Sequence, residues 1–452
     1  MKTIKEAERI LLPLVGEQEF KEKLIYRKLI YLTEIECEDG YLVYNNLTGE
    51  LLILSNDEFI EFNKCDNTCR SFLKYVKKWF YVPEDFLDIL FCDQITKTLR
   101  TYMQSLRSNM PITSYTILTT TECNARCFYC FEKGRKNIKM TKETANDVAE
   151  YIKSSCKGEK ITIRWFGGEP LYNLEVIDII SEQLKNLSIE FKSSIVSNGY
   201  LFNDEIINKC KDIWNVKEVQ ITLDGTEKIY NRVKAYVYDS SNPFNIVIDN
   251  IRKLLVANIN VRIRLNHGKH NTNDLINLID FLNEKFAGYN NLKIYSRLLF
   301  EYSDILENAN NKNEYWQLQK QNKELTNYII ARGFGKKWGI DGLLKYHNCM
   351  ADDDTAIVIL PDGHLGKCEH FSDNEICGTI YQKELNEHKI AEFKRTAEYT
   401  DICDTCPVRP NCYRLEKCPD KNKVCNEDFK IFCIENVKER MITTYNEWKS
   451  EQ

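Results

Sequence analysis

The chain has 452 residues, of which 43% are hydrophobic and 29% charged, and its formal net charge is -5. This length predicts roughly two to four domains, and the acidic balance gives no reason to expect nucleic-acid binding. No run approaches the roughly 18 apolar residues of a membrane span, and the acidic start is not that of a signal peptide. We therefore expect a cytoplasmic protein with neither a nucleic acid nor a membrane as partner.

The first region, residues 1–105, mixes short strands and helices. Two apolar stretches at 40–44 and 51–54 flank a polar turn, as in a β-hairpin. A capping Ser or Asn ahead of Glu at 55–58 then predicts the start of a helix, and apolar spacing over 72–80 predicts another.

The second region, residues 113–335, alternates strand-like and helix-like segments six times. The strands are predicted near 115–119, 161–166, 191–196, 218–223, 259–265 and 292–298. The helices are predicted near 140–155, 173–186, 203–213, 243–257, 272–287 and 314–332. Consecutive β–α units indicate a parallel sheet covered by helices. Six units rather than eight predict an α/β fold, a partial (β/α)6 TIM barrel that is open on one side.

The third region, residues 345–452, loses regular periodicity and gains Cys, Pro and Asp. Nine of the 18 cysteines lie beyond residue 340. In a reducing compartment, clustered cysteines bind metal or carry out redox chemistry more often than they form disulfides. A segment with a poor apolar core can draw its stability from such metal sites.

Three cysteines follow the first strand of the second region. Cys123, Cys127 and Cys130 stand in the sequence C-N-A-R-C-F-Y-C. These short spacings bring three thiolates around one iron–sulfur cubane and leave its fourth iron open. The alternative is a zinc site, but zinc favours four ligands. The triplet resembles the signature of radical S-adenosylmethionine (SAM) enzymes, which implies a SAM-binding [4Fe-4S] cluster with Tyr129 near the adenine.

A second motif follows the second strand, as Gly167-Gly168-Glu169-Pro170. Glycines allow close approach of the backbone to a ligand, although such a run is often only a turn. Radical SAM enzymes carry a similar G-G-E-P motif at this place. The resemblance implies that Gly167, Gly168 and Glu169 meet the methionine amine of SAM.

Polar residues also follow later strands of the second region. Ser197-Asn198-Gly199 follows the third strand and resembles the family's S-N-G, which implies contacts to the ribose or carboxylate of SAM. Asn266, after the fifth strand, is expected to reach the ribose, and Asp224 follows the fourth strand. The alternative for each residue is a helix cap or a turn.

The resemblance also implies a reaction. An electron from a donor such as flavodoxin or ferredoxin reduces the cluster, which cleaves SAM to a 5′-deoxyadenosyl radical that takes hydrogen from the substrate. The protein contributes positioning and the exclusion of water and oxygen, so an anaerobe is the expected source.

The C-terminal cysteines resemble a SPASM domain, which holds two auxiliary clusters. The cysteines concerned are Cys349, Cys368, Cys403, Cys406, Cys412, Cys418, Cys425 and Cys433, and the match is close at Cys349, Cys368, Cys403, Cys406 and Cys412. The resemblance implies a first cluster on Cys349, Cys368 and Cys418, and a second on Cys403, Cys406, Cys412 and Cys433. Cys418 departs from the family spacing, and either Cys425 or Cys377 is a candidate fourth ligand of the first cluster. Otherwise that iron is open to a substrate thiolate. The alternatives are a zinc ribbon for the array and structural thiols for Cys377 and Cys425.

The N-terminal region, with Y-N-N-L-T-G-E at 44–50, resembles the leader-peptide recognition element of peptide-modifying enzymes. That element is a winged-helix-like domain that adds a peptide as a strand to a sheet edge. The alternative is a structural cap on the barrel.

The three regions together resemble a radical SAM/SPASM maturase of ribosomally made peptides, such as the sactipeptide and ranthipeptide synthases. We expect an enzyme that cross-links a precursor peptide with a leader sequence, a thioether being favoured over a carbon–carbon bond. The alternatives are an anaerobic sulfatase-maturating enzyme, which makes formylglycine, and a non-catalytic iron–sulfur peptide-binding protein. The sequence does not identify the peptide, the bond, the general base or the oligomeric state.

Overall fold

The computed structural model describes residues 2–4, 16–108, 110–238, 242–299, 309–340, 349–370, 375–382, 384–418 and 425–452. The N-terminal strands are β1 (Lys2–Ile4), β2 (Tyr26–Lys28), β3 (Leu32–Cys37), β4 (Gly40–Asn45), β5 (Glu50–Leu54) and β6 (Tyr81–Pro83). Four of them form an antiparallel sheet in the order β1-β5-β4-β3, and β2 pairs with β6. The helices here are α1 (Asn56–Lys64), α2 (Phe72–Lys77) and α3 (Asp88–Arg107).

Local sequence explains the start of this region. The predicted hairpin is present, because β4 and β5 pair in antiparallel register. The Ser55 side chain accepts from the Glu58 amide and the Glu58 side chain accepts from the Ser55 amide. This capping box satisfies two amides that a helix start leaves without partners. The predicted helix start is therefore confirmed.

The second region forms a parallel sheet whose neighbours follow chain order. Its strands are β7 (Ser114–Thr120), β8 (Ile161–Gly167), β9 (Phe191–Ser197), β10 (Val216–Leu223), β11 (Asn260–His267) and β12 (Leu292–Leu298). Its helices are α4 (Lys142–Cys156), α5 (Leu174–Asn186), α6 (Asp204–Asp212), α7 (Glu227–Lys234), α8 (Pro243–Val256), α9 (Thr272–Phe286) and α10 (Ala309–Ala331). All six predicted strands are present, and β12 ends the sheet on one side. The fold is α/β and consistent with a partial barrel.

The sheet continues beyond the barrel strands. The added strands are β13 (Ala356–Ile359), β14 (His364–Gly366) and β15 (Gly378–Thr379). β13 pairs parallel to β7, and β14 and β15 follow antiparallel. The sequence pattern did not predict these strands, because a run of four buried residues is too short to show a period. They join the C-terminal region to the barrel through main-chain hydrogen bonds.

One large apolar core lies between the sheet and its helices; it runs from Tyr115 to Leu365 and includes the fully buried Trp165 and Trp214. Alternate strand residues, such as Ile161, Ile163 and Trp165, belong to this core, and the intervening residues lie on the other face of the sheet, as the pleat requires.

The C-terminal region has two helices, α11 (Glu387–Lys394) and α12 (Glu427–Ser450). Met441 and Tyr445 of α12 pack against Leu42 and Tyr44 of β4. Arg409, which is 4% exposed, pairs with Asp93 of α3 at 2.9 Å. The first and last regions of the chain are thus in direct contact. None of the described helices is both long and apolar enough to cross a membrane.

Candidate active site

The cysteine loop leaves β7 at the carboxyl edge of the sheet, where parallel α/β folds bind their ligands. The Thr121 amide donates to the Ile138 carbonyl at 2.9 Å and closes the loop at its base. Farther out, the Arg126 amide donates to the Lys234 carbonyl at 2.8 Å. The loop is therefore attached both to its own strand and to the end of α7.

The three thiols of this loop are partly buried. The Cys123 sulfur lies 3.4 Å from the Ala125 amide and 3.8 Å from Asn198 Nδ2, and both nitrogens donate to it. Burial, with smaller contributions from the negative charges of Glu169 and Cys127, raises the pKa of Cys123 to about 12. The thiolate therefore requires a positive partner such as iron.

The glycines of G-G-E-P bring two backbones together. A Cβ on Gly167 would lie 2.1 Å from the Thr120 carbonyl oxygen, and one on Gly168 would lie 2.4 Å from that of Glu122. The Gly168 amide donates to the Thr120 carbonyl at 3.0 Å. The close approach therefore serves to attach the end of β8 to the cysteine loop, and a contact of these glycines with a ligand stays a prediction.

Glu169 is fully buried behind that junction. Its carboxylate accepts from the Ser197 hydroxyl at 2.9 Å and from the Asn198 amide at 2.8 Å. Burial raises the pKa of Glu169 to about 7 against the lowering effect of these hydrogen bonds. The Ser197 hydroxyl also accepts from the Gly199 amide at 2.9 Å. The structure thus joins the second and third motifs to each other.

Tyr129, Asp224 and Asn266 meet in a buried network beside the cysteine loop. The Tyr129 hydroxyl donates to Asp224 at 2.6 Å, and Asn266 Nδ2 donates to the Tyr129 oxygen at 2.9 Å and to Asp224 at 3.1 Å. The strands β10 and β11 supply the two polar residues at their carboxyl ends. Burial raises the pKa of Tyr129, so the hydroxyl keeps its proton.

Lys234 completes this network, and the sequence analysis missed it. Its ammonium lies 3.1 Å from Asp224, and the two side chains are 4% and 1% exposed. Burial acts to lower the pKa of Lys234, but the charge of Asp224 outweighs it and the pKa stands well above its ordinary value. A lysine that ends a short charged helix is typical of a solvated surface, so only the tertiary structure reveals it.

His267 also lies at the carboxyl edge of the sheet and was not predicted. It is fully buried, and its Nε2 lies 2.8 Å from the Thr272 hydroxyl. Burial lowers the pKa of His267 to about 4, so the ring is neutral near pH 7.

Cys349, Cys368 and Cys418 lie together in the C-terminal region. Burial raises the pKa of Cys368 to about 12, and Glu369, Cys349 and Cys418 add to the rise. The pKa of Cys349 is raised to about 11 by burial, with Cys418 among the charges that add to it. These mutual effects indicate that the three sulfurs lie near one another, and their sharing of one cluster stays a prediction.

The remaining cysteines form a second group. Burial raises the pKa of Cys433 to about 12, and Cys412, Cys406 and Cys425 add to it. Burial likewise raises the pKa of Cys425 to about 11, with added effects from Cys403, Cys412 and Cys406. Cys425 therefore lies with the second group.

Cys377 is fully buried in an apolar cluster with Ile390 and Phe393, against which Cys368 packs. It is not among the charges that act most strongly on the pKa of Cys349 or Cys368. These surroundings are those of a structural thiol.

The donor sets fit clusters better than single ions. Within the described ranges, no three His, Cys, Asp or Glu side chains are close enough to hold one metal ion. An iron–sulfur cluster binds its thiolates on separate irons, and soft, buried sulfurs at the sheet edge suit it.

Residues 117–282 match the family model of the Radical SAM superfamily. This match covers β8 to β11 and the whole cysteine loop. The chain therefore contains a radical SAM domain, and a domain of this kind implies a [4Fe-4S] cluster and SAM.

Two kinds of sequence relative are similar to this chain. The radical SAM cyclopropyl synthase TigE of Paramaledivibacter caminithermalis is 25% identical over 338 residues, which are 67% of this chain and 69% of TigE. The GTP 3′,8-cyclase of Clostridium perfringens is 24% identical over 268 residues, which are 56% of this chain and 80% of the cyclase.

Solved structures share the fold. SuiB of Streptococcus suis bound to the precursor peptide SuiA has a TM-score of 0.51 at 15% identity, over 88% of this chain and 99% of SuiB. The enzyme anSMEcpe with bound AdoMet has a TM-score of 0.51 at 16% identity, over 74% of this chain and 96% of anSMEcpe. At these identities the likeness concerns the fold.

Proposed function

We propose that this enzyme cross-links a ribosomally made precursor peptide, and that the bond is a thioether from a peptide cysteine to a carbon. One observation carries the proposal: the cysteine loop is fixed against the segment that bears Cys368. Arg135, at the end of the loop, donates to the His370 carbonyl at 2.8 Å. This contact supports the proposal that two sets of thiols face the same space, one suited to SAM and the other to a second cluster.

The site residues would divide the work as follows. Cys123, Cys127 and Cys130 would hold the first cluster, and bound SAM on that reduced cluster would supply a 5′-deoxyadenosyl radical. Tyr129 and Asn266 would face the adenosine, with Asp224 and Lys234 keeping them in place. Burial of this network excludes the water that would compete with substrate.

The second motif would act beside SAM. Gly167 and Gly168 would place their backbone close to the methionine end, and Glu169 would orient that backbone by binding Ser197 and Asn198. The buried carboxylate would act on SAM through those neighbours, whose amide and hydroxyl groups it holds in place.

The C-terminal thiols would form a SPASM domain over 345–452 with two auxiliary clusters. Cys349, Cys368 and Cys418 form a group of three within the described residues, which leaves one iron of a cubane for the thiolate of the peptide. The second cluster would use Cys403, Cys406, Cys412 and Cys433, with Cys425 close enough to exchange with one of them. An open iron next to the SAM site favours a thioether over a carbon–carbon bond.

The N-terminal residues 1–105 would bind the leader of the peptide. β3 is the last strand at one side of its sheet among the strands described. One face of β3 packs on α12 through Ile35 and Cys37. Its free edge would accept the leader as a further antiparallel strand.

The comparisons support a peptide substrate. SuiB is a structural neighbour that binds a precursor peptide, SuiA, and its likeness to this chain extends beyond the barrel. TigE, named a cyclopropyl synthase, favours carbon–carbon bond formation as the second candidate. The proposal further includes a barrel over residues 113–335 and an electron donor such as flavodoxin or ferredoxin. It also includes a cytoplasmic location, where thiols stay reduced.

The test is anaerobic incubation of the reconstituted enzyme with SAM, a reductant and the short cysteine-containing peptide encoded beside its gene. Mass spectrometry should show loss of two hydrogen atoms, with fragmentation placing a bond between a cysteine sulfur and a carbon. Alkylation with iodoacetamide counts the cysteines that remain free. A bond without cysteine would support the second candidate, and an unchanged peptide alongside active SAM cleavage would contradict the proposal.

A further inference from the structure

The cysteine loop and the Cys368 segment meet through one side chain, Arg135. Its guanidinium donates to the His370 carbonyl at 2.8 Å and to the Glu369 carbonyl at 3.4 Å. The same group lies 3.5 Å from the carboxylate of Glu132. The side chain is only 10% exposed, so these charged contacts are largely shielded from water.

Aromatic contacts extend this junction. The Phe131 ring lies 4.3 Å from the His370 ring and 6.4 Å from Phe166 of β8. The Arg135 guanidinium lies over the Phe131 ring at 5.3 Å. Phe131, at one end of this set, follows Cys130 directly. His370, at the other end, lies two residues after Cys368.

We propose that Arg135 is a positioning residue that sets the spacing between the SAM-binding thiols and the first C-terminal thiol group. This inference rests on the proposed function, since that reaction needs one peptide to reach both places. The planar fork of arginine can hold two neighbouring carbonyl oxygens at once, whereas the ammonium of lysine is a single point charge. The spacing therefore depends on arginine and not on positive charge alone.

The expected consequence of replacing Arg135 is that radical formation and bond formation are no longer coupled. When reacting groups are misplaced by about 1 Å, a step can slow about a hundredfold. A shift of the Cys368 segment would leave the thiol group out of reach after the hydrogen has been taken. Radical formation would then exceed bond formation.

The experiment compares the holoenzyme with R135K and, as a matched control, R252K, whose residue forms an exposed pair with Asp249 on the outside of the barrel. The measured quantity is cross-linked peptide formed per 5′-deoxyadenosine released. We expect this ratio to fall roughly tenfold in R135K and to stay at the wild-type value in R252K. Mere loss of stability would lower both products together and leave the ratio unchanged.

Hydrogen exchange of the holoproteins supplies a second readout. Amides of residues 366–370 should exchange faster in R135K, while those of α8 should not change. An unchanged ratio, or unchanged exchange at 366–370, would overturn the inference. If the wild-type enzyme forms no cross-link, the proposed function fails, and the exchange measurement alone decides whether Arg135 holds the segment.

Discussion

The barrel and the C-terminal region are stabilised in different ways. The barrel has one contiguous apolar core that contains fully buried residues from every one of its six strands. The C-terminal region has a small cluster of Ala351, Cys377, Ile390 and Phe393, and short 3-10 turns surround Cys403 and Cys412. Apolar burial contributes about 25 cal/mol per Å², so the barrel draws more stabilisation from this source than the small C-terminal cluster provides.

This difference in apolar burial indicates that metal clusters would have different roles in the two regions. In the barrel a cluster would serve chemistry, because the large apolar core already stabilises the sheet. In the C-terminal region clusters would also stabilise the fold, because ligands that meet only in the folded state convert metal affinity into folding free energy. Four experiments can break or sharpen this contrast.

The largest effect should come from the cysteine triplet. Replacing Cys123, Cys127 and Cys130 with alanine should reduce SAM cleavage to background, because the loop then offers no thiolate to a SAM-binding cluster. The midpoint of thermal unfolding of the barrel should stay close to wild type. Chromatographic assay of 5′-deoxyadenosine measures SAM cleavage, and circular dichroism measures thermal unfolding. A variant that is inactive because it is unfolded would contradict the contrast between the barrel and the C-terminal region.

Iron removal should affect the C-terminal region next most strongly. Anaerobic chelation should speed hydrogen exchange across 384–418, a segment that includes α11, as expected where stability is linked to metal binding. Exchange of β8 to β11 should change little. Equal protection of both regions after chelation would show that the C-terminal fold does not depend on its clusters.

The buried pair in the barrel should have a large effect on stability. D224N leaves the ammonium of Lys234 buried without its counter-charge, and breaking such a pair costs about 3–5 kcal/mol. Urea unfolding measures the change in free energy. D249N, which removes a carboxylate from the exposed pair with Arg252, is the control and should have little effect; equal losses would show that the burial of Lys234 is unimportant.

Glu169 should give the smallest effect, a pH dependence. Its pKa is about 7 in the folded protein and 4.5 as its ordinary value, so the folded state binds the proton more tightly. The stabilisation is complete below pH 4.5 and is lost as the pH rises through about 7, by up to about 3 kcal/mol. E169Q should remove this slope from urea unfolding measured without SAM.

The control for that slope is E175Q, because Glu175 forms an exposed pair with Lys142 on the outside of the barrel. Its profile should run parallel to that of the wild type. A slope that survives in E169Q would assign the pH dependence to another group.

The sequence predicted the repeating part of the fold well, because the alternation of strand-like and helix-like patterns recurs in each unit from β7 to β12. It also placed the cysteine loop after the correct strand. It did not predict β13 to β15, whose pairing depends on contacts with β7 that lie far away in sequence. Lys234 and Arg135 were missed for the same reason: charged residues are assigned to the surface unless tertiary structure supplies their buried partners.

The most direct test is electron paramagnetic resonance of the anaerobically purified, dithionite-reduced protein, with and without SAM. Compared with the triple alanine variant of Cys123, Cys127 and Cys130, the wild type should show an additional [4Fe-4S]⁺ signal that shifts when SAM is added. Signals that are identical in the two proteins, or that ignore SAM, would contradict the claim that this loop holds a SAM-binding cluster.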